Sequence, residues 1–167
     1  GYKHEEVMTS LMASIMRSTK GRWGAIDRST TYRETSSELL AHTEAILPRW
    51  VFLFLRTFGA SPCEIFPGWS ANTPTQSLRL YRMNCAVEPP HFLPSRYPIA
   101  ASYSGDHLYA ELGNVDDPPV LFLQQDYLQA RVVADRLSDV ILKASDGWNS
   151  GRLTRNTGRT VQDKSGD

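Results

Sequence analysis

His107 and Glu111 stand four residues apart in HLYAEL, with Ser104 and Asp106 just before them. On an extended chain, side chains at even spacing share a face. An imidazole and a carboxylate there could act as base and acid in a small hydrolase. A plainer reading competes and is preferred. Gly105-Asp106 is turn chemistry, because glycine takes positive φ cheaply and aspartate bonds its own backbone, and the residues after it form a strand. Nothing else in the chain is arranged for bond-making. There is no glycine-rich phosphate cradle, no HExxH pair and no Gly-x-Ser-x-Gly elbow. His4, His42, His91 and His107 are scattered without ligand spacing, and Cys63 and Cys85 have neither metal-like spacing nor a disulfide framework. No cofactor or metal is expected. The two cysteines read as reduced thiols of a cytoplasmic protein.

The same strand is better suited to binding. Leu108, Ala110 and Leu112 alternate against His107, Tyr109 and Glu111, the period of a strand with one face on a core and one facing water or a partner. On the polar face Tyr109 stands among charged groups, and at interfaces aromatics anchor while charges orient. Asp106, Tyr109, Glu111, Asp116 and Asp117 are the candidate partner-binding residues. Acids in a loop either complement a basic partner surface, such as a nuclease channel, or only solubilise a turn. Trp69 and Trp148, both expected in loops, are either members of small core clusters or exposed anchors.

The elements that position these residues follow from periodicity and breakers. Residues 4–18 form an amphipathic helix with Val7, Leu11 and Ile15 on one stripe and Met8, Met12 and Met16 beside it. That stripe is either an adaptable partner surface or an ordinary core face. Residues 20–35 read as a linker. Thr35-Ser36-Ser37-Glu38 has the form of a capping box, opening a helix with Leu39, Leu40, Ile46 and Leu47. Pro48 at a first helical position and Gly59 past the end make 48–58 a buried helix. CEIF (63–66) and SLRLYRM (77–83) are expected strands, separated by a loop at 68–74. Glu88-Pro89-Pro90 and Pro94 break the chain before a strand around Ile99. Val120–Leu123, entered through Pro118-Pro119, suits a strand covered on both faces. Val133, Leu137, Val140, Ile141 and Ala144 fall at helical spacing, with Gly147 as the stop. Residues 146–167 are poor in apolar side chains and read as a mobile or surface-laid tail.

Composition bounds the class. At 167 residues, 41% hydrophobic and 22% charged, the chain is an ordinary globular domain. Basic and acidic residues number 18 each, so the net charge is zero and the basic excess of a nucleic-acid binder is missing. No apolar run is long enough to span a bilayer, so neither direct nucleic acid nor membrane is an expected partner.

Taken in order, these parts resemble the SUKH superfamily of SMI1/KNR4-like domains over roughly residues 35 to 144. The residues that carry the likeness are Leu47-Pro48, Trp50, Phe54-Leu55 and Gly59; then Pro98-Ile99-Ala100 and Gly105-Asp106-His107-Leu108-Tyr109; then Pro119-Val120; and last a closing helix from Val133 to Leu142 that includes Leu137. The chain departs from the pattern where a glycine-rich, acidic run should follow the second helix. The resemblance implies an α+β fold, with N-terminal helices packed on a curved, mainly antiparallel sheet and a C-terminal helix. Residues 1–34 form a preceding helix and linker, 35–145 the domain and 146–167 the tail. It also implies a function. Bacterial members are immunity proteins that bind a cognate toxin, often a nuclease or deaminase, and block its active site; fungal members are scaffolds in signalling networks. A non-catalytic immunity protein is the expected reading, with a scaffold and then a hydrolase using His107 and Glu111 as alternatives.

Overall fold

A computed structural model describes residues 6–7, 9–10, 37–58, 64–87, 93–123, 130–156 and 159–162. The capping residues Thr35 and Ser36, the linker at 20–35, Gly59, Cys63, Glu88-Pro89-Pro90, His4 and His91 lie outside them. So does most of the methionine-striped helix, of which residues 6–7 and 9–10 are helical. The chain is α+β. Its order is α1 (Ser37–Ile46), α2 (Arg49–Phe58), β1 (Glu64–Phe66), β2 (Trp69–Ala71), α3 (Pro74–Ala86), β3 (Arg96–Ser102), β4 (His107–Glu111), β5 (Val120–Leu123), β6 (Ala130–Ala134), α4 (Leu137–Asn149), β7 (Leu153–Asn156) and β8 (Arg159–Gln162). Strands β1 to β6 form one open antiparallel sheet in chain order, and β7 pairs with β8 in a separate hairpin.

The core lies between one face of this sheet and helices α2 and α4. Helix α2 is apolar nearly all round, so it must be buried all round. Trp50, Val51, Phe52, Leu53, Phe54, Leu55 and Phe58 are all buried. Pro48 precedes the helix and occupies its cap, where its carbonyl accepts from the Phe52 N–H at 3.0 Å. Helix α4 contributes Leu137, Ile141, Ala144 and Trp148 to the same cluster, against Ile99, Ala110 and Val120 of the sheet. The Trp148 indole donates to the Ile65 carbonyl at 3.0 Å and ties α4 to β1. Trp148 is thus a core residue, and half-buried Trp69 meets Phe122 edge-on.

Four expectations fail, each for a local reason. Residues 77–83 are part of helix α3. Thr73 and Gln76 form a reciprocal capping box with Pro74 at the first helical turn, and this start signal outweighs the accidental alternation of Leu78 and Leu80 with Arg79 and Tyr81. The 68–74 loop contains β2, which pairs with the Ala100–Ser102 end of β3. Val133 belongs to strand β6, not to the closing helix, which begins at Leu137. Finally, α4 runs past Gly147 to Asn149, and the supposed tail folds into the β7–β8 hairpin, with Leu153 buried against Gly147.

Candidate partner-binding surfaces

The structure scatters the five candidate binding residues. Asp106 precedes β4 and Glu111 ends it, five steps or about 17 Å apart along an extended chain. Asp106 belongs to the turn: its N–H donates to the Ser102 hydroxyl at 3.2 Å, and Gly105 takes φ +87° beside it. Glu111 accepts from the Ser95 hydroxyl at 2.8 Å and stands 3.4 Å from the Arg96 guanidinium, an ion pair without hydrogen-bond alignment. Asp116 caps α2, its carboxylate accepting from the Arg49 N–H at 3.2 Å. Asp117 caps α4, accepting the Ser138 N–H at 2.9 Å as well as the Ser138 hydroxyl. Both acids thus face the positive ends of helices.

Tyr109 is a correction. It is only 1% exposed, in a small second core with Leu121 and Leu123. Alternation places it on the face away from α2, and that face is covered where α3 packs, with buried Asn84 beside the Tyr109 phenol. Burial pushes that phenol up to about 12. Tyr81 of α3 also meets Tyr97 of β3, a member of the main core, with tilted rings 5.0 Å apart. Nor are His107 and Glu111 brought together. Four strand steps separate them by about 14 Å, with Tyr109 between. Burial lowers the His107 pKa, partly offset by Asp106, and its Nδ1 has no hydrogen-bond partner among the described residues.

Two concave surfaces take the place of the expected acidic face. One is a cleft of about 470 Å³ between α3 and the β3–β4 turn. Arg79, Leu80 and Met83 face it from the helix, Tyr103 from the β3–β4 turn and His107 from β4. Met83 is 60% exposed and Tyr103 65%. Reading α3 as a strand hid this cleft; the Thr-x-x-Gln cap at Thr73 was the signal that could have found it. The second is a groove of about 810 Å³ between α4 and the sheet. Phe66, Trp69, Leu108 and Phe122 form its floor, and Arg131 and Lys143 face it from β6 and α4.

Among the described residues, no helix is long and apolar enough to cross a membrane, and no three His, Cys, Asp or Glu side chains cluster as a metal site. No model of a known protein family matches the chain, and no curated protein does.

Proposed function

We propose that this protein is a non-catalytic immunity protein of the SUKH type. It binds a cognate toxin, a nuclease or deaminase being the expected class, and covers the toxin's active site in the cytoplasm. The observation that carries the reading is the cleft beside α3. Methionine, tyrosine and arginine are the side chains enriched at interface centres, and Met83, Tyr103 and Arg79 meet there on a concave surface. The turn and capping work of Gly105, Asp106, Asp116 and Asp117 supports it, because these residues hold the framework and leave recognition to the side chains around them. The separation of His107 from Glu111 counts against the hydrolase. A scaffold that bridges two partners is the second reading, favoured by the separate groove beside α4.

Co-expression with the product of the neighbouring gene tests the proposal. That product alone should kill its host, and this chain should restore growth through a stable complex. Changing Met83→Asp together with Tyr103→Ala should weaken the complex about thirtyfold or more, the loss of two anchor side chains. A harmless neighbour that forms no complex removes the toxin reading and leaves the scaffold.

A further inference from the structure

Strand β6 supplies one wall of the groove beside α4 and is also the outer edge of the sheet. Among the described residues no strand pairs with that edge. An open edge recruits further strands unless proline, charge or a cover blocks it. On β6 two β-branched side chains project, Val132 at 57% and Val133 at 44% exposure, and the one charged residue of the strand, Arg131, is turned over the Phe122 ring. The register with β5 skips between Leu121–Val132 and Val120–Ala134, which leaves Val133 as a bulge residue. A bulge bends the strand and re-aims a side chain, and Val133 lines the groove. Val132, opposite Leu121, points to the other face. Ala130–Val132 remain as a regular ladder.

The chemistry of the groove narrows the occupant. Trp69 and Phe122 meet edge-on with centroids 5.9 Å apart, and Arg131 lies 5.3 Å over the Phe122 ring. Arg136 is paired with Asp139, and Arg152 with Asp146. Arg131 and Lys143, from β6 and α4, have no ion pair among the described residues, and Asp135 is the one unpaired acid that lines the groove beside them. An apolar floor below two cations that face a single unpaired acid suits a ligand that offers an apolar side chain and a carboxylate on one face.

We propose that β6 and this groove form a strand-addition site for an extended acidic-apolar protein segment. The segment pairs its backbone with Ala130–Val132 as a seventh strand. One apolar side chain packs beside Phe122 and Trp69, and a carboxylate two residues along, which shares that face of the strand, meets Arg131 and Lys143. In this mode main-chain pairing supplies affinity and the side-chain pocket supplies selectivity. The site is separate from the cleft beside α3 and stands whether or not the other partner is a toxin.

The test is a titration of the ¹⁵N-labelled full chain with three capped hexapeptides. The first has the pattern Phe-Thr-Asp-Thr-Phe-Thr, which puts the apolar and acidic side chains on one face, the second replaces aspartate by lysine, and the third is the first with every backbone amide N-methylated. The first peptide should shift the amides of Ala130–Ala134, the Trp69 indole and Lys143. The lysine peptide, and the acidic peptide against an Arg131→Glu, Lys143→Glu variant, should bind about tenfold more weakly, since facing like charges oppose association. The N-methylated peptide should not bind. Both substitutions are at exposed positions, and an unchanged melting temperature verifies the fold. Equal binding of the N-methylated peptide overturns strand addition, and equal binding of the lysine peptide overturns the acidic preference. The proposal also falls if the shifts gather at the α3 cleft or none appear. A concentration-dependent dimer in ultracentrifugation, abolished by Val132→Lys, would assign the edge to a second copy instead. Loss of peptide binding leaves growth rescue by co-expression untouched, so this proposal and the toxin reading fail separately.

Discussion

The Asp117 carboxylate receives both the backbone N–H and the hydroxyl of Ser138, 21 residues further along the chain. Its neighbour Asp116 does the same kind of work for the Arg49 N–H of α2. One short loop before β5 therefore fixes the starts of the two helices that carry most of the core. The Leu137 N–H donates to the Pro118 carbonyl at 2.7 Å and closes the same junction.

Asp117→Ala should therefore destabilise the fold by about 1–2 kcal/mol, the usual cost of losing a helix cap. Ser138→Ala should cost a similar amount, because Ser138 is buried and its loss strips Asp117 of a donor. The double variant should cost clearly less than the sum, as expected of two groups in direct contact. Urea unfolding of the four proteins gives the coupling. Strict additivity would show that the two side chains act independently.

Local signals made the helices around α2 legible and left their partners hidden. The alternation in HLYAEL correctly separates Ala110 from Tyr109, but it cannot say that the second face is covered, because α3 does the covering from another part of the chain. That helix was itself obscured, since Leu78 and Leu80 two residues apart mimic a strand while the decisive Thr73–Gln76 cap lies four residues upstream. The β7–β8 hairpin escaped notice for a different reason. It rests on backbone pairing and on buried Leu153, and composition registers neither. The binding candidates failed in the same way: an aspartate at a helix start and an aspartate at an interface look alike until the helix is in place.

The pH dependence of stability follows from two groups of buried side chains. Burial lowers the His107 pKa below its ordinary value, so below about pH 6.5, the ordinary histidine pKa, the unfolded chain binds a proton that the folded chain resists. Stability should fall as the pH drops through that value, since it rises with pH wherever the unfolded state binds more protons. His107→Gln should flatten that limb. At the alkaline end the sign reverses. Burial holds the phenols of Tyr97 and Tyr109 protonated, the latter pushed up to about 12, while the unfolded tyrosines ionise from about pH 10. Stability should fall again above that pH, and less steeply in Tyr97→Phe. Melting temperatures across the range, at fixed ionic strength, check both limbs.

The Trp148 indole should be worth more than its area. Trp148→Phe keeps an aromatic ring in the core but leaves the Ile65 carbonyl without the donor that now reaches it at 3.0 Å. A buried acceptor left bare costs about 1–3 kcal/mol, before any packing loss is counted. Thermal unfolding measures the total, and hydrogen exchange should show the β1–β2 turn opening more readily than the rest of the sheet. A neutral substitution would mean that β1 is held by its own strand pairing alone.

Gly147 offers a test in which the sign itself changes. It lies inside α4, where alanine would ordinarily stabilise a helix by about 1 kcal/mol. A Cβ built there, however, would come within 2.7 Å of the Leu153 Cδ1 and 2.9 Å of its Cγ. Leu153 is buried and cannot simply swing out, and overpacking of this kind costs about 1–3 kcal/mol. Gly147→Ala should thus destabilise the native protein on balance and loosen the β7–β8 hairpin. Leu153→Ala alone should cost about 2–3 kcal/mol by leaving a cavity. In that background the clash is gone, and the added methyl group fills part of the space and favours the helix, so Gly147→Ala should become stabilising. Four melting curves decide the matter. If Gly147→Ala has the same sign in both backgrounds, the close approach of Leu153 is not what keeps glycine in the helix.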